Sequence, residues 1–167
     1  MHLGAHTDAP NHYAARSESI ETRSLEFYLG KCQVIEVSKA RGERIRVADL
    51  KGQEIQARRI LFKTKSFPDP YHWNDDFNSL SAELVNYLHE KKVMTVGIDT
   101  PSIDPAPDKT LESHLAVHKN DMAILEGIVL DHVREGIYEL IALPLKIEGA
   151  DATPVRAILR TYEGTIA

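Results

Sequence analysis

Three histidines and an aspartate fall within the first twelve residues, Met1-His2-Leu3-Gly4-Ala5-His6-Thr7-Asp8-Ala9-Pro10-Asn11-His12. Neutral imidazole and carboxylate are the ligands a divalent transition metal takes at neutral pH. His2, Gly4, His6 and Asp8 occupy alternate positions, with Leu3, Ala5 and Thr7 between them. Alternate side chains of an extended segment share a face. A strand here sets two imidazoles and a carboxylate on one face and buries the other, while Gly4 leaves room for an ion. A helix pairing His2 with His6 is disfavoured by Gly4 and Pro10. Pro10 removes a ladder donor and ends the strand, which puts His12 on the loop that follows. One short strand rarely closes a metal site, so this half needs donors from elsewhere.

Two later stretches offer them. His114 and His118, in Ser113-His114-Leu115-Ala116-Val117-His118, share one helix face. Glu126 follows the apolar run Met122-Ala123-Ile124-Leu125; a carboxylate buried there must be paired or ligated, because burying it bare is very costly. Spacing does not choose between His114 and His118, and either can be a surface histidine. His72, His89 and His132 have no such company. Tyr13, Tyr71, His72, Trp73 and Phe77 can form a wall for an aromatic substrate, although Trp73 and Phe77 can equally pin their loop to the core. Asp99-Thr100-Pro101-Ser102-Ile103-Asp104 reads as turn chemistry at a strand end. Cys32 begins a strand without an activating partner and reads as core.

The elements that must position these residues are short and interleaved. Residues 33–37, 59–64, 93–98, 122–125, 137–143 and 155–160 read as strands. Ser79 and Ser81 are candidate caps for an amphipathic helix built on Leu84, Val85, Tyr87 and Leu88 and running to about Lys92. Residues 111–118 read as a second helix, while 24–29 and 47–50 read as helical turns. Residues 66–78 form a long irregular loop of the kind that tends to carry function. Strands interleaved with fewer helices indicate a mixed α/β domain.

Composition narrows the partners. The 167 residues suit one domain spanning residues 1–167. Apolar content of 43% and charged content of 27% are those of an ordinary globular protein. A net charge of −5 without a basic run argues against nucleic acid. The single cysteine excludes an internal disulfide and suits a reducing compartment. No apolar run approaches the roughly 18 residues of a membrane span, and no secretory leader is visible. The expectation is a cytoplasmic protein.

The motif His2-x-Gly4-x-His6-x-Asp8-x-Pro10-x-His12 resembles the signature of bacterial kynurenine formamidases (arylformamidases), a branch of the metal-dependent cyclase-like hydrolases. The stretches 97–104, 122–127, 138–145 and Thr153-Pro154-Val155-Arg156 resemble that branch in order and spacing. The resemblance implies a cyclase-like α/β fold, a mixed sheet flanked by helices. It implies two zinc ions per subunit, with manganese or cobalt as substitutes. His2, His6 and Asp8 would hold one ion, and Asp8 would bridge to a second held by His114 and Glu126. It also implies that His12 is the catalytic histidine, that the chain is a homodimer, and that it hydrolyses N-formyl-L-kynurenine to L-kynurenine and formate in tryptophan catabolism. Another small amide or an isatin- or lactone-like ring is the alternative substrate, and an inactive metal-binding fragment the alternative from another class. The chain departs from the family at Ala5, where threonine is usual, and at Leu115, where many members have histidine. It also begins inside the motif, so the resemblance implies a missing N-terminal segment.

Overall fold

The computed structural model describes residues 2–162. In chain order its strands are β1 (His6–Asp8), β2 (Leu29–Glu36), β3 (Arg44–Ile45), β4 (Arg59–Lys63), β5 (Ser79–Leu80), β6 (Thr95–Ile98), β7 (Ala123–Leu125), β8 (Gly136–Ile141), β9 (Ala152–Pro154) and β10 (Ile158–Arg160). The helices are α1 (Pro10–Tyr13), α2 (Ala82–Glu90) and α3 (Glu112–Lys119). Six strands make one sheet in the order β10-β8-β2-β4-β6-β7. Strands β2, β4, β6 and β7 are parallel, and β8 and β10 join antiparallel. This is the expected mixed α/β arrangement.

Every residue of β4 and β6 is buried, as befits parallel strands covered on both faces. Alternation along β4 sends Leu61 into one apolar core and Ile60 and Phe62 into the other. The second core is roofed by α2, whose Leu84, Val85 and Leu88 are fully buried, each side chain contributing about 1.5–3 kcal/mol. Ser81 caps that helix, its Oγ accepting from the Leu84 amide at 3.1 Å. No helix among the described residues is long and apolar enough to cross a membrane.

The opening stretch differs from the strand expected of it. Gly4 has φ +66°, a left-handed turn that breaks the alternation, and only His6–Asp8 is strand. Leu3, expected on a buried face, is 88% exposed. His12 lies on α1 rather than in a loop, because Pro10 starts a helix as readily as it stops a strand. Strands β3, β5 and β9 have only two or three residues each, too few to leave a pattern.

Candidate metal centre

Strand β1 is fixed along both edges. It pairs antiparallel with β9 through His6↔Pro154, Thr7↔Thr153 and Asp8↔Ala152. On its other side the His6 and Glu126 amides and carbonyls exchange hydrogen bonds of 3.0 Å, and the Thr7 hydroxyl donates to the Ile124 carbonyl at 2.7 Å. His6 and Asp8 are thereby laid across the carboxyl end of β7, the end at which α/β sheets collect ligands. Gly127, at φ +61°, lies under the Gly4 carbonyl, and a Cβ there would collide with that oxygen.

His6, Asp8, His114 and Glu126 are each only 2% exposed. Nε2 of His6 is 3.4 Å from Asp8 Oδ1 and 3.2 Å from Glu126 Oε2. Nε2 of His114 is 3.5 Å from Asp8 Oδ2 and 3.4 Å from Glu126 Oε1. His2 joins at the rim, its Nδ1 2.9 Å from Asp8 Oδ1, and stacks on His12 with ring centroids 4.0 Å apart. Donor atoms of His2, Asp8 and His12 lie within 4.8 Å of one another, as do those of His6, Asp8 and Glu126. Asp8 is common to both groups.

These residues fit a metal. Among the described residues, His6 Nε2 and both Asp8 oxygens are buried without a hydrogen bond. Leaving such atoms without a hydrogen bond costs about 1–3 kcal/mol each, and cations held in the cluster would engage them. The remaining ring nitrogens are held from behind. His6 Nδ1 lies 2.8 Å from the Gly4 carbonyl and His114 Nδ1 2.7 Å from Asp104, the outer contacts that orient metal-bound imidazoles. Glu126 Oε1 accepts from the Ile103 amide at 2.6 Å.

The electrostatics agree. Burial opposes charge on His6, yet the Asp8 and Glu126 carboxylates outweigh it and lift the imidazole to about 10. For His114, burial is likewise outweighed by Asp104, Asp8 and Glu126, which raise it to about 11. Asp8 is held well below the usual carboxylate range by His114, His2 and His6, despite its burial. The carboxylates demand positive charge, and protons and divalent ions compete for the same nitrogens. His12 behaves differently. Burial lowers its pKa below the ordinary imidazole value, with Asp8 pulling the other way, which favours the neutral ring.

The structure brings His2, His6, Asp8, His12, His114 and Glu126 together, while His118 stays exposed on α3. Beside the cluster opens a cavity of about 150 Å³ lined by His2, His6, Phe67, Trp73, Ile128 and Leu130, among others. Of the five residues read as a wall for an aromatic substrate, Tyr13, Tyr71, His72, Trp73 and Phe77, only Trp73 lines it. Phe77 is 1% exposed and sits behind the wall, 5.8 Å from the Trp73 ring and 6.2 Å from Phe67. Tyr13 packs over His114 and His118 instead, at 5.3 and 6.1 Å. Cys32 is buried, and its thiol is pushed up to about 12, as a core residue's should be. Sequence reasoning missed Phe67, which sits in the loop flagged as functional. It missed Asp151, whose Oδ2 is 3.4 Å from His2 Nε2 and 3.6 Å from His12 Nδ1. Asp104 passed as turn chemistry, and its contact with His114 has no local signal.

The chain is similar to known proteins in sequence and in structure. A family described as "Putative cyclase" matches residues 1–105. Kynurenine formamidase from Erythrobacter litoralis is 48% identical over 160 residues, 95% of this chain and 73% of that protein. The one from Maricaulis maris is 44% identical over 160 residues, 95% of this chain and 76% of the relative. A solved structure described as a potential metal-dependent hydrolase with cyclase activity superposes with a TM-score of 0.86 at 31% identity, covering 95% of this chain and 78% of that one. Likeness of this extent shows that the chain belongs to the cyclase family, the family in which its curated relatives are kynurenine formamidases.

Proposed function

We propose that the chain is a zinc-dependent arylformamidase that hydrolyses N-formyl-L-kynurenine to L-kynurenine and formate. The observation that carries this reading is the buried cluster of unpaired donors, open on one side to a cavity walled by Phe67 and Trp73. The curated relatives supply the substrate.

In this reading His2, His6 and Asp8 would hold one ion, and His114 and Glu126, with Asp8, would hold a second. When bound, a divalent metal would supply Lewis acidity here, lowering the pKa of water and polarising a carbonyl. The Phe67 and Trp73 rings take the aryl group of the substrate and exclude solvent from the formyl end. His12, neutral and a third exposed, is placed to take up the proton lost by the attacking water on a ring nitrogen and deliver it to the departing arylamine. Asp151 faces its Nδ1 and favours the orientation in which Nε2 points inward. Zinc is the proposed ion, with manganese and cobalt as substitutes that accept the same ligands, and a cytoplasmic homodimer completes the proposal.

The test is a substrate ranking on purified protein. Kynurenine release is followed by absorbance, beside hydrolysis of isatin and of a simple aryl lactone. N-formyl-L-kynurenine should give the highest kcat/KM. Faster opening of either ring would move the substrate class, and no turnover of any of the three by metal-loaded protein would leave an inactive metal-binding fragment.

A further inference from the structure

We infer that Asp104, gripped by Arg44, is a positioning residue that aims His114 at the metal centre and so sets the affinity of that centre. The inference rests on the metal reading above and adds an outer residue to it.

Helix α3 begins without a cap of its own. Leu111, the residue before it, sits at φ 51° and offers no side-chain acceptor. The amides of Ser113 and His114 instead donate to the Asp104 carboxylate, each at 3.1 Å. A remote side chain thus does the work of an N-cap. The same carboxylate accepts from the His114 ring, Nδ1 to Oδ2 at 2.7 Å. Backbone and ring of one residue are therefore tied to one anion. That double tie leaves Nε2 facing Asp8 and Glu126.

A cap alone would need only the amides. Asp104 is fully buried, and a buried carboxylate requires compensation. Arg44 supplies it, with Nη1 2.6 Å from Asp104 Oδ1 and Nη2 2.5 Å from Asp108 Oδ2. Nη1 also reaches the Ser113 hydroxyl at 3.0 Å and the Leu80 carbonyl at 2.8 Å. The chain Arg44–Asp104–His114 has the form of a carboxylate–histidine–metal triad, in which the carboxylate fixes the tautomer and raises the basicity of the ligand nitrogen.

Asp104→Asn and Arg44→Lys test this with zinc titrated into chelated protein against a competing chelator. The visible spectrum of the cobalt-substituted protein and the melting temperature of the chelated form complete the comparison. Asp104→Asn should raise the zinc dissociation constant about 10- to 100-fold and shift the cobalt bands. Arg44→Lys, which keeps the charge and loses the fork, should move both in the same direction by less. A lower melting temperature with wild-type zinc affinity and wild-type cobalt bands would reduce Asp104 to a helix cap and overturn the inference. If Asp104→Asn fails to fold, Arg44→Lys decides by the same criteria. Failure of the underlying metal reading looks different, because the wild-type chain itself would then take up neither ion, and the inference would fall with it.

Discussion

His114 and Glu126 reach the cluster from elements braced on several sides, whereas His2 and His12 reach it from the first turns of the chain, their side chains 29% and 33% exposed. At the deep end His114, Glu126 and His6 each have an outer partner. Asp104 holds His114, the Ile103 amide holds Glu126, and the Gly4 carbonyl holds His6. At the shallow end, the outer contacts run to Asp151, itself half exposed. The difference follows the division of labour that the chemistry needs. A ligand set must be rigid to hold its geometry, while a group that takes up and releases protons must stay near solvent and near neutral charge. The lowered pKa of His12 against the raised values of His6 and His114 expresses the same division.

The most drastic way to break the comparison is His12→Ala. Turnover should fall about 10²- to 10⁴-fold with metal content unchanged, measured by elemental analysis beside the rate. Metal lost together with activity would make His12 part of the ligand set. Next comes Glu126→Gln, which removes a buried charge from the deep end. A change that leaves buried partners uncompensated is worth about 3–5 kcal/mol, or about 10³-fold in the zinc dissociation constant. His2→Ala should cost visibly less, and equal losses at the two positions would erase the distinction.

The aromatic wall gives a paired test of smaller size. Phe77→Ala should destabilise the fold by about 3–5 kcal/mol, because its ring is fully buried behind the wall. Trp73→Ala should leave stability within about 0.5 kcal/mol and raise KM, since that ring is 63% exposed and faces the cavity. Denaturant unfolding and steady-state kinetics on both variants separate the two roles.

The mildest perturbation is pH. His6 and His114 stand at about 10 and 11, above the ordinary 6.5 of an unfolded chain. The stability they give the chelated protein is complete below about pH 6.5 and is lost as pH rises through those higher values. Its melting temperature should therefore decline from near neutrality into the alkaline range. Zinc competes with the same protons, so the stabilisation it confers should widen over that interval. A gap that narrowed with pH would mean that zinc binds elsewhere.

Much of the site was legible because its residues are extreme. Histidine and aspartate at alternate positions, and a glutamate ending an apolar run, have few uses other than metal. The sheet was legible where apolar runs are unbroken, as in Ile60-Leu61-Phe62. What escaped depends on contacts across the chain. The bridge between His6 and Glu126 joins residues 120 positions apart, and no local pattern announces it. Phe77 and Trp73 carry the same aromatic signal, and only packing sends one behind the wall and the other into it. Asp104 looked like a turn residue because its partners, Arg44 and His114, lie 60 and 10 positions away.

The central claim is tested most directly by one preparation assayed three times for kynurenine release from N-formyl-L-kynurenine: as purified, after exhaustive chelation, and after zinc is restored. Activity that disappears on chelation and returns with zinc, at up to two ions per chain, is the predicted result. Undiminished turnover by protein shown to be free of metal would contradict it.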